Sequence, residues 1–326
     1  MAINTVRYRR GDVVGFGVVR GDGIVPVPGD FATTGDFILR GAERARALAG
    51  APAVHPLGDV EVLCPITSNQ QLVCQGMNYR SHLAEIGQDP RRQTFNMFFR
   101  KASSSLSAAS ADIVRPPHVR LLDYEIELAL VVGRAIDGPL DVTAERLPEL
   151  VAAVAILNDV SARDVQIPQS QFYKGKSYRS FAPTGPWLTL LDREDFACLG
   201  DLELSLAVNG ETRQHGRVAD LLFGPAATLT ELSGLQDFAP GDVIATGTPG
   251  GVALAIPGAA SRWVANLLPE PLRWKLFVRS QERSARYLRP GDVVTSRIRT
   301  PDGRLDLGEQ RNRVVAAPAA NAPPRA

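Results

Sequence analysis

The chain has 326 residues, of which 44% are hydrophobic and 22% charged, the balance of a soluble globular protein. A formal net charge of +1 leaves no bulk basic field that would argue for nucleic acid or an anionic membrane. The three cysteines, Cys64, Cys74 and Cys198, are too few and too scattered for a disulfide framework or a thiolate zinc site, and no apolar run is long enough to span a bilayer.

The N-terminal stretch MAINTVRYRRGDVVGFGVV moves straight into strand-like alternation without a signal-peptide apolar region. A cytoplasmic protein with reduced cysteines is expected. Residues 1–66 read as short strands punctuated by Gly and Pro, then a helix over TGDFILRGAERARALAG, together a small N-terminal α+β domain. From residue 67 strand patterns dominate: DIVRPP, DYEIELALVVG, PTGPWLTLL, LELSLAVNGE, GDVIATGTPGG and GDVVTSRI. Helices are predicted over TAERLPELVAAVAILNDVS and VADLLFGPAATLTELSG. Many strands with few helices describe a β-rich α+β domain that runs to about residue 315, not a βαβ repeat. Residues 258–287 are basic, hold two of the three tryptophans and interrupt strand-like sequence, so they read as an insertion. Its apolar residues, Trp263, Leu267, Leu268, Leu272, Trp274, Leu276 and Phe277, call for a packing partner near the pocket mouth or at a subunit interface, and a surface excursion with no role is the alternative. The Pro/Ala-rich end, residues 316–326, reads as a disordered tail.

The stretch LLDYEIELALVVGR poses a physical problem. Tyr124, Ile126, Leu128, Leu130 and Val132 alternate as on a buried strand, yet Asp123, Glu125 and Glu127 fall on the other face. Like charges at that spacing repel, and burying them unpaired is costly. Asp159 in NDVSARD follows an apolar run and emerges beside the core. Three carboxylates brought together need a cation, and all-oxygen ligation suits Mg²⁺, Mn²⁺ or Ca²⁺ better than Zn²⁺. A solvated acidic face is the alternative. In GMNYRSHLAEIG, His82 and Glu85 share one face of a helical turn, the arrangement of an oriented general base, or else an ordinary exposed pair. ATGTPGGV lacks both the Walker and the G-x-G-x-x-G patterns, and reads as a strand-end turn that offers backbone N–H groups and Thr248 to a small ligand. YKGKSYRSFAPTGPW places Lys174 and Lys176 just before a strand, where a lysine can stabilise developing enolate charge, or else lie as a solvated loop lysine.

The ordered set GMNYRSHLAE, DYEIELALVVG, NDVSARDVQ, GKSYRSFAPTGPW, GDVIATGTPGGV and LRPGDVV…RNRV resembles the fumarylacetoacetate hydrolase family over roughly residues 68–315. The resemblance implies a mixed-sheet, β-roll-like catalytic domain, a small N-terminal domain and a homodimer. Carried over by motif, Glu125, Glu127 and Asp159 hold Mg²⁺ or a similar ion. His82 and Glu85 form the water-activating dyad, Lys176 is catalytic, and Arg163, Gln166 and Thr248 bind substrate. The activity implied is hydrolysis of a carbon–carbon bond in a β-diketone or acylpyruvate, a small oxo-acid or diketone. Water activated by His82 attacks a carbonyl, and a carbanion leaves as an enolate held by the metal and Lys176. Decarboxylation, isomerisation or hydration of an oxo-acid on the same site is the first alternative. A non-catalytic, metal-stabilised binding protein is the second. The chain departs from the family pattern at Arg179, where many relatives carry an acidic residue, and in the length of the insertion.

Overall fold

The computed structural model describes residues 1–85, 87–255 and 267–318. The fold is α+β, with mixed sheets that do not close into a barrel among the described residues. The largest sheet has 13 strands. Its centre is the antiparallel pair Ile126–Val132 and Val151–Asn158. On one side Ile126–Val132 pairs with Val243–Ala245, which runs parallel to Leu72–Gly76, which in turn pairs with Met97–Lys101. On the other side Val151–Asn158 pairs with Leu188–Leu190, and that strand pairs with Ile3–Arg10. The N-terminal strands thus continue the same sheet, and the junction near residue 66 is not a break in it.

A second sheet of five strands, among them Glu203–Val208, Val293–Arg299 and Asp306–Ala316, packs over the first. Leu128, Leu130 and Val132 point into the core between the sheets, while Ala129 and Val131 join a second core that includes Phe16 and Phe37. The central strand is therefore buried on both faces, and Glu127 enters the interior by strand geometry rather than by choice of surface.

The helix expected near residue 34 forms, as Thr34–Asp36, a π-helical turn Phe37–Gly41 and Ala42–Ala47. A capping box between Thr33 and Asp36 starts it. Phe37 stacks on Phe16 with ring centroids 4.1 Å apart, which holds the helix on the sheet.

The helix expected over TAERLPELVAAVAILNDVS is mostly a strand. Only Ala144–Arg146 and Leu147–Leu150 are helical, and Val151–Asn158 is a central strand. A continuous apolar run fits a doubly buried strand as well as a buried helix, and periodicity cannot separate them. The strand expected from Tyr124 begins at Ile126, because the Glu125 and Ile126 amides turn to the side chains of Asn158 and Gln214.

In the insertion, Glu270–Gln281 is a helix that buries Val278 and Gln281, and Phe277 packs against the main core. Leu272 and Leu276 stay exposed. Arg262 and Trp263 lie outside the described residues, as does the tail from residue 319. Cys64, Cys74 and Cys198 are free thiols. No helix among the described residues is long and apolar enough to cross a membrane.

Candidate active site

One oxygen each from Glu125, Glu127 and Asp159 lie within 4.8 Å of one another, and all three residues are buried. Local backbone bonding builds this cluster. Asp159 donates its N–H to the Glu125 carbonyl at 2.8 Å, while the Asn158 side chain accepts the Glu125 N–H at 2.9 Å. The two acidic segments are thus tied where the central strands end.

Fixed cations answer part of the repulsion that the sequence posed. Lys176 donates to both Glu125 and Asp159. Arg163 donates to Glu125, and its Nε reaches Asp123 at 2.8 Å. Lys101 donates to Asp159 and to the carbonyl of Phe181 at 2.7 Å. Burial would raise the Glu125 carboxyl, but Arg163, Lys176 and His82 together outweigh it and hold it at about 2. Burial disfavours a charged Lys176, yet Asp159 and Glu125 raise its pKa above the usual lysine value. Glu127 differs. Burial first, then Asp159 and Glu125, push its carboxyl well above the ordinary range. This mixed balance, with three hard oxygens converging and Glu127 in no direct ion pair with a lysine or arginine among the described residues, fits a divalent cation at Glu125, Glu127 and Asp159.

His82, on the helix Arg80–Glu85, lines a pocket together with Glu125, Glu127 and Lys176. Arg163, Gln166 and Thr248 line the same pocket. Phe99, Phe172, Ile167 and Leu254 supply its apolar wall, and the Lys176 ammonium lies 4.9 Å from the Phe99 ring centroid. Asp159 sits behind this lining, fully buried. Glu85 is partly exposed, and its Oε2 is 3.9 Å from His82 Nδ1, longer than a hydrogen bond. His82 Nδ1 is buried and has no hydrogen-bond partner among the described residues.

Several expected roles take a different local form. Thr248 donates its hydroxyl to the Ile126 carbonyl and accepts from Gln214, so it secures the turn. Arg163 donates to Asp123, Glu125 and the side-chain amide oxygen of Gln166, and Gln166 lines the pocket. The amides of the ATGTPGGV turn serve protein acceptors: Gly247 N–H goes to Glu127, Gly250 N–H to Ser81 and Gly251 N–H to Glu85. Gly247 has φ +91°, and a Cβ there would lie 2.9 Å from that of Asn78, so glycine is required. Lys174 and Lys176 share the short helix Phe172–Lys176, but Lys174 is exposed and Arg179 is exposed outside the pocket lining. No local sequence pattern assigns these contacts to Lys101, Asp123 or Gln214. The only sequence hint for Lys101 is its place at the end of the apolar strand NMFFRK.

A family model described as "Fumarylacetoacetate (FAA) hydrolase C-terminal" matches residues 71–315. Protein Rv2993c of Mycobacterium tuberculosis is 36% identical over 197 residues, 60% of this chain and 71% of that protein. The human mitochondrial oxaloacetate tautomerase FAHD2A is 34% identical over 211 residues, 64% of this chain. The match spans 65% of the human protein, just under two thirds of its length. The solved fumarylacetoacetate hydrolase of psychrophilic Exiguobacterium antarcticum superposes with a TM-score of 0.73 at 30% identity, over 97% of this chain and 100% of that one.

Proposed function

The chain belongs to the fumarylacetoacetate hydrolase family, and on that premise we propose that it is a metal-dependent hydrolase of a carbon–carbon bond in an acylpyruvate or β-diketone. The observation that carries this reading is a buried imidazole, His82, lining one pocket with a carboxylate cluster and a charged lysine. When bound at Glu125, Glu127 and Asp159, a cation such as Mg²⁺ or Mn²⁺ supplies Lewis-acid polarisation of substrate oxygens.

The chain's own groups do the rest. His82 accepts a proton from water, and the resulting hydroxide adds to the acyl carbonyl. Collapse of the tetrahedral adduct breaks the carbon–carbon bond, frees the new carboxylic acid and leaves the electron pair on the pyruvate fragment as an enolate, whose carbon then takes the proton held by His82. Lys176, kept protonated by Asp159 and Glu125, stabilises that developing charge. Gln166 Nε2 orients the substrate, and Arg163 holds Gln166 and Glu125 in place. The apolar wall of Phe99, Phe172, Ile167 and Leu254 suits an acyl group and excludes water from it.

A second reading moves protons without cleavage, as an oxo-acid tautomerase or isomerase, or loses carbon dioxide as a decarboxylase. The name of the human relative supports the tautomerase form, and so does the 3.9 Å gap between His82 and Glu85. Incubation with acetylpyruvate and, separately, oxaloacetate in the presence of Mg²⁺ separates the readings. Acetate plus pyruvate in equal amounts supports the hydrolase. Keto–enol exchange of oxaloacetate, or pyruvate and carbon dioxide from it, with acetylpyruvate left intact, overturns it in favour of the second reading. Tight oxalate binding without turnover of either would leave a binding protein.

A further inference from the structure

The loop that follows the Thr248 turn is anchored residue by residue. Gly250 N–H donates to Ser81 at 3.1 Å and Gly251 N–H to Glu85 Oε2 at 2.8 Å, both on the helix that carries His82. Ala253 and Leu254 donate to Asp123, which also accepts from Arg163. Ala255 is paired twice with the buried Gln281 side chain, at 3.2 Å through its N–H and 2.9 Å through its carbonyl. Gln281 closes the insertion helix, and Tyr287 O–H donates to it at 2.9 Å. The remaining anchor is Arg286, whose Nη2 donates to the Gly251 carbonyl at 2.6 Å.

Gly251 is therefore gripped from both sides, its carbonyl by Arg286 and its amide by Glu85. Its φ is +103°, and a Cβ would stand 2.0 Å from the Arg213 carbonyl oxygen, so only glycine fits at the point where Arg286 and Glu85 meet one peptide. His82 makes no hydrogen bond to Glu85, since 3.9 Å separates them. The hydrogen bond that Glu85 accepts comes from the Gly251 peptide, while His82 and Arg286 act on its carboxylate through charge.

We propose that Arg286, on the chain leaving the insertion, is a positioning residue: through the Gly251 peptide it sets the place of Glu85, and with it the helix that carries His82. The catalytic consequence rests on the reading of His82 as the base. The positioning itself does not. The insertion thereby serves the pocket from behind, as a brace, and its helix Glu270–Gln281 contributes through Gln281.

Two measurements test this. Hydrogen exchange on Arg286→Ala, with Arg286→Lys as the conservative variant, needs no substrate. Faster exchange confined to peptides covering residues 79–85 and 250–255, with Ile126–Val132 unchanged and with protection restored in the lysine variant, supports the proposal. Unchanged exchange at residues 79–85, or loosening that extends to Ile126–Val132, overturns it. The second measurement is a double-mutant cycle on turnover. Arg286→Ala should lower kcat by about 10–100-fold, the scale of a small misplacement of reacting groups, with KM little changed. In a Glu85→Ala background it should add nothing. Equal effects of Arg286→Ala with and without Glu85 overturn the coupling. If neither acetylpyruvate nor oxaloacetate is turned over but the exchange result holds, the functional reading fails and the positioning stands.

Discussion

Glu127 accepts the Gly247 N–H at 2.9 Å and, among the described residues, forms no ion pair with a lysine or arginine. Its two acidic neighbours do: Glu125 is paired with Arg163 and Lys176, and Asp159 with Lys176 and Lys101. The cluster is thus compensated at two corners and open at the third. Metal binding is expected to displace a proton from Glu127, whose carboxyl is raised by burial and by Asp159 and Glu125. Mg²⁺ affinity should rise with pH across the range above the ordinary carboxylate value of 4.5. Calorimetric titration in buffers of different ionisation enthalpy measures the released protons. A value of zero near neutral pH would remove this account of Glu127.

The same asymmetry sets the pH dependence of the metal-free fold. A carboxyl raised in the folded state favours folding at low pH, and that contribution is lost as pH rises through the raised value. Glu125 works in the opposite sense. Held at about 2 against an ordinary 4.5, it contributes stability that is present above 4.5 and lost as pH falls toward 2. Thermal melts in chelator should therefore show a maximum on the acid side of neutrality, and added Mg²⁺ should raise the melting temperature more at higher pH. Equal Mg²⁺ stabilisation at pH 6 and pH 8.5 would contradict the assignment.

Glu125→Gln and Glu127→Gln should both abolish Mg²⁺ binding, as should Asp159→Asn, because each removes a charged donor from a three-carboxylate site. Their effects on the metal-free protein should differ in sign. Glu125→Gln leaves Arg163 and Lys176 short of a partner and should destabilise by about 3 kcal/mol. Glu127→Gln removes a carboxyl that burial, Asp159 and Glu125 raise well above the ordinary range, and with it the cost of protonating that group on folding near neutral pH, so it should raise the melting temperature by about 2 °C or more. Calorimetry and thermal melts in chelator decide this, and destabilisation by both variants would mean that Glu127 is charge-balanced after all.

His82→Ala should keep Mg²⁺ affinity and lose about 10²–10⁴-fold in turnover, the worth of a general base. His82 lines the pocket, but it is absent from the set of carboxylates whose oxygens converge. A fall in metal affinity in the purified variant would make His82 a ligand instead.

What the sequence revealed depended on the type of signal. The carboxylates, His82 and Lys176 were legible because each sat in a short motif with an unusual charge against an apolar background. The run LVAAVAIL reads as helix in sequence but folds largely as strand, since a strand buried on both faces has no period-2 alternation to show. The contacts of Arg286 and Lys101 are invisible in sequence because their targets, the Gly251 carbonyl and Asp159, lie 35 and 58 residues away and leave no local pattern. Thr248 was found by its motif, but its hydroxyl contacts depend on Gln214 and the Ile126 carbonyl, which only the folded chain brings near.

Lys101 and Lys176 both reach Asp159, yet they should respond differently to loss of charge. Lys176 lines the pocket over the Phe99 ring. Lys101 closes the strand Met97–Lys101 and spends its other hydrogen bonds on the carbonyls of Val160 and Phe181, at 3.2 and 2.7 Å. Lys101→Met should therefore destabilise the fold by about 3 kcal/mol, the cost of breaking a buried pair and leaving carbonyls unmet. Having removed a positive charge beside the cluster, it should bind Mg²⁺ at least as tightly as the parent. Lys176→Met should also tighten or preserve Mg²⁺ binding, but should remove turnover, because the charge that meets the developing enolate is gone. Urea melts, Mg²⁺ titration and turnover on the two variants separate the roles. Full activity in Lys176→Met, or loss of Mg²⁺ binding in Lys101→Met protein that is still folded, would reverse the assignment.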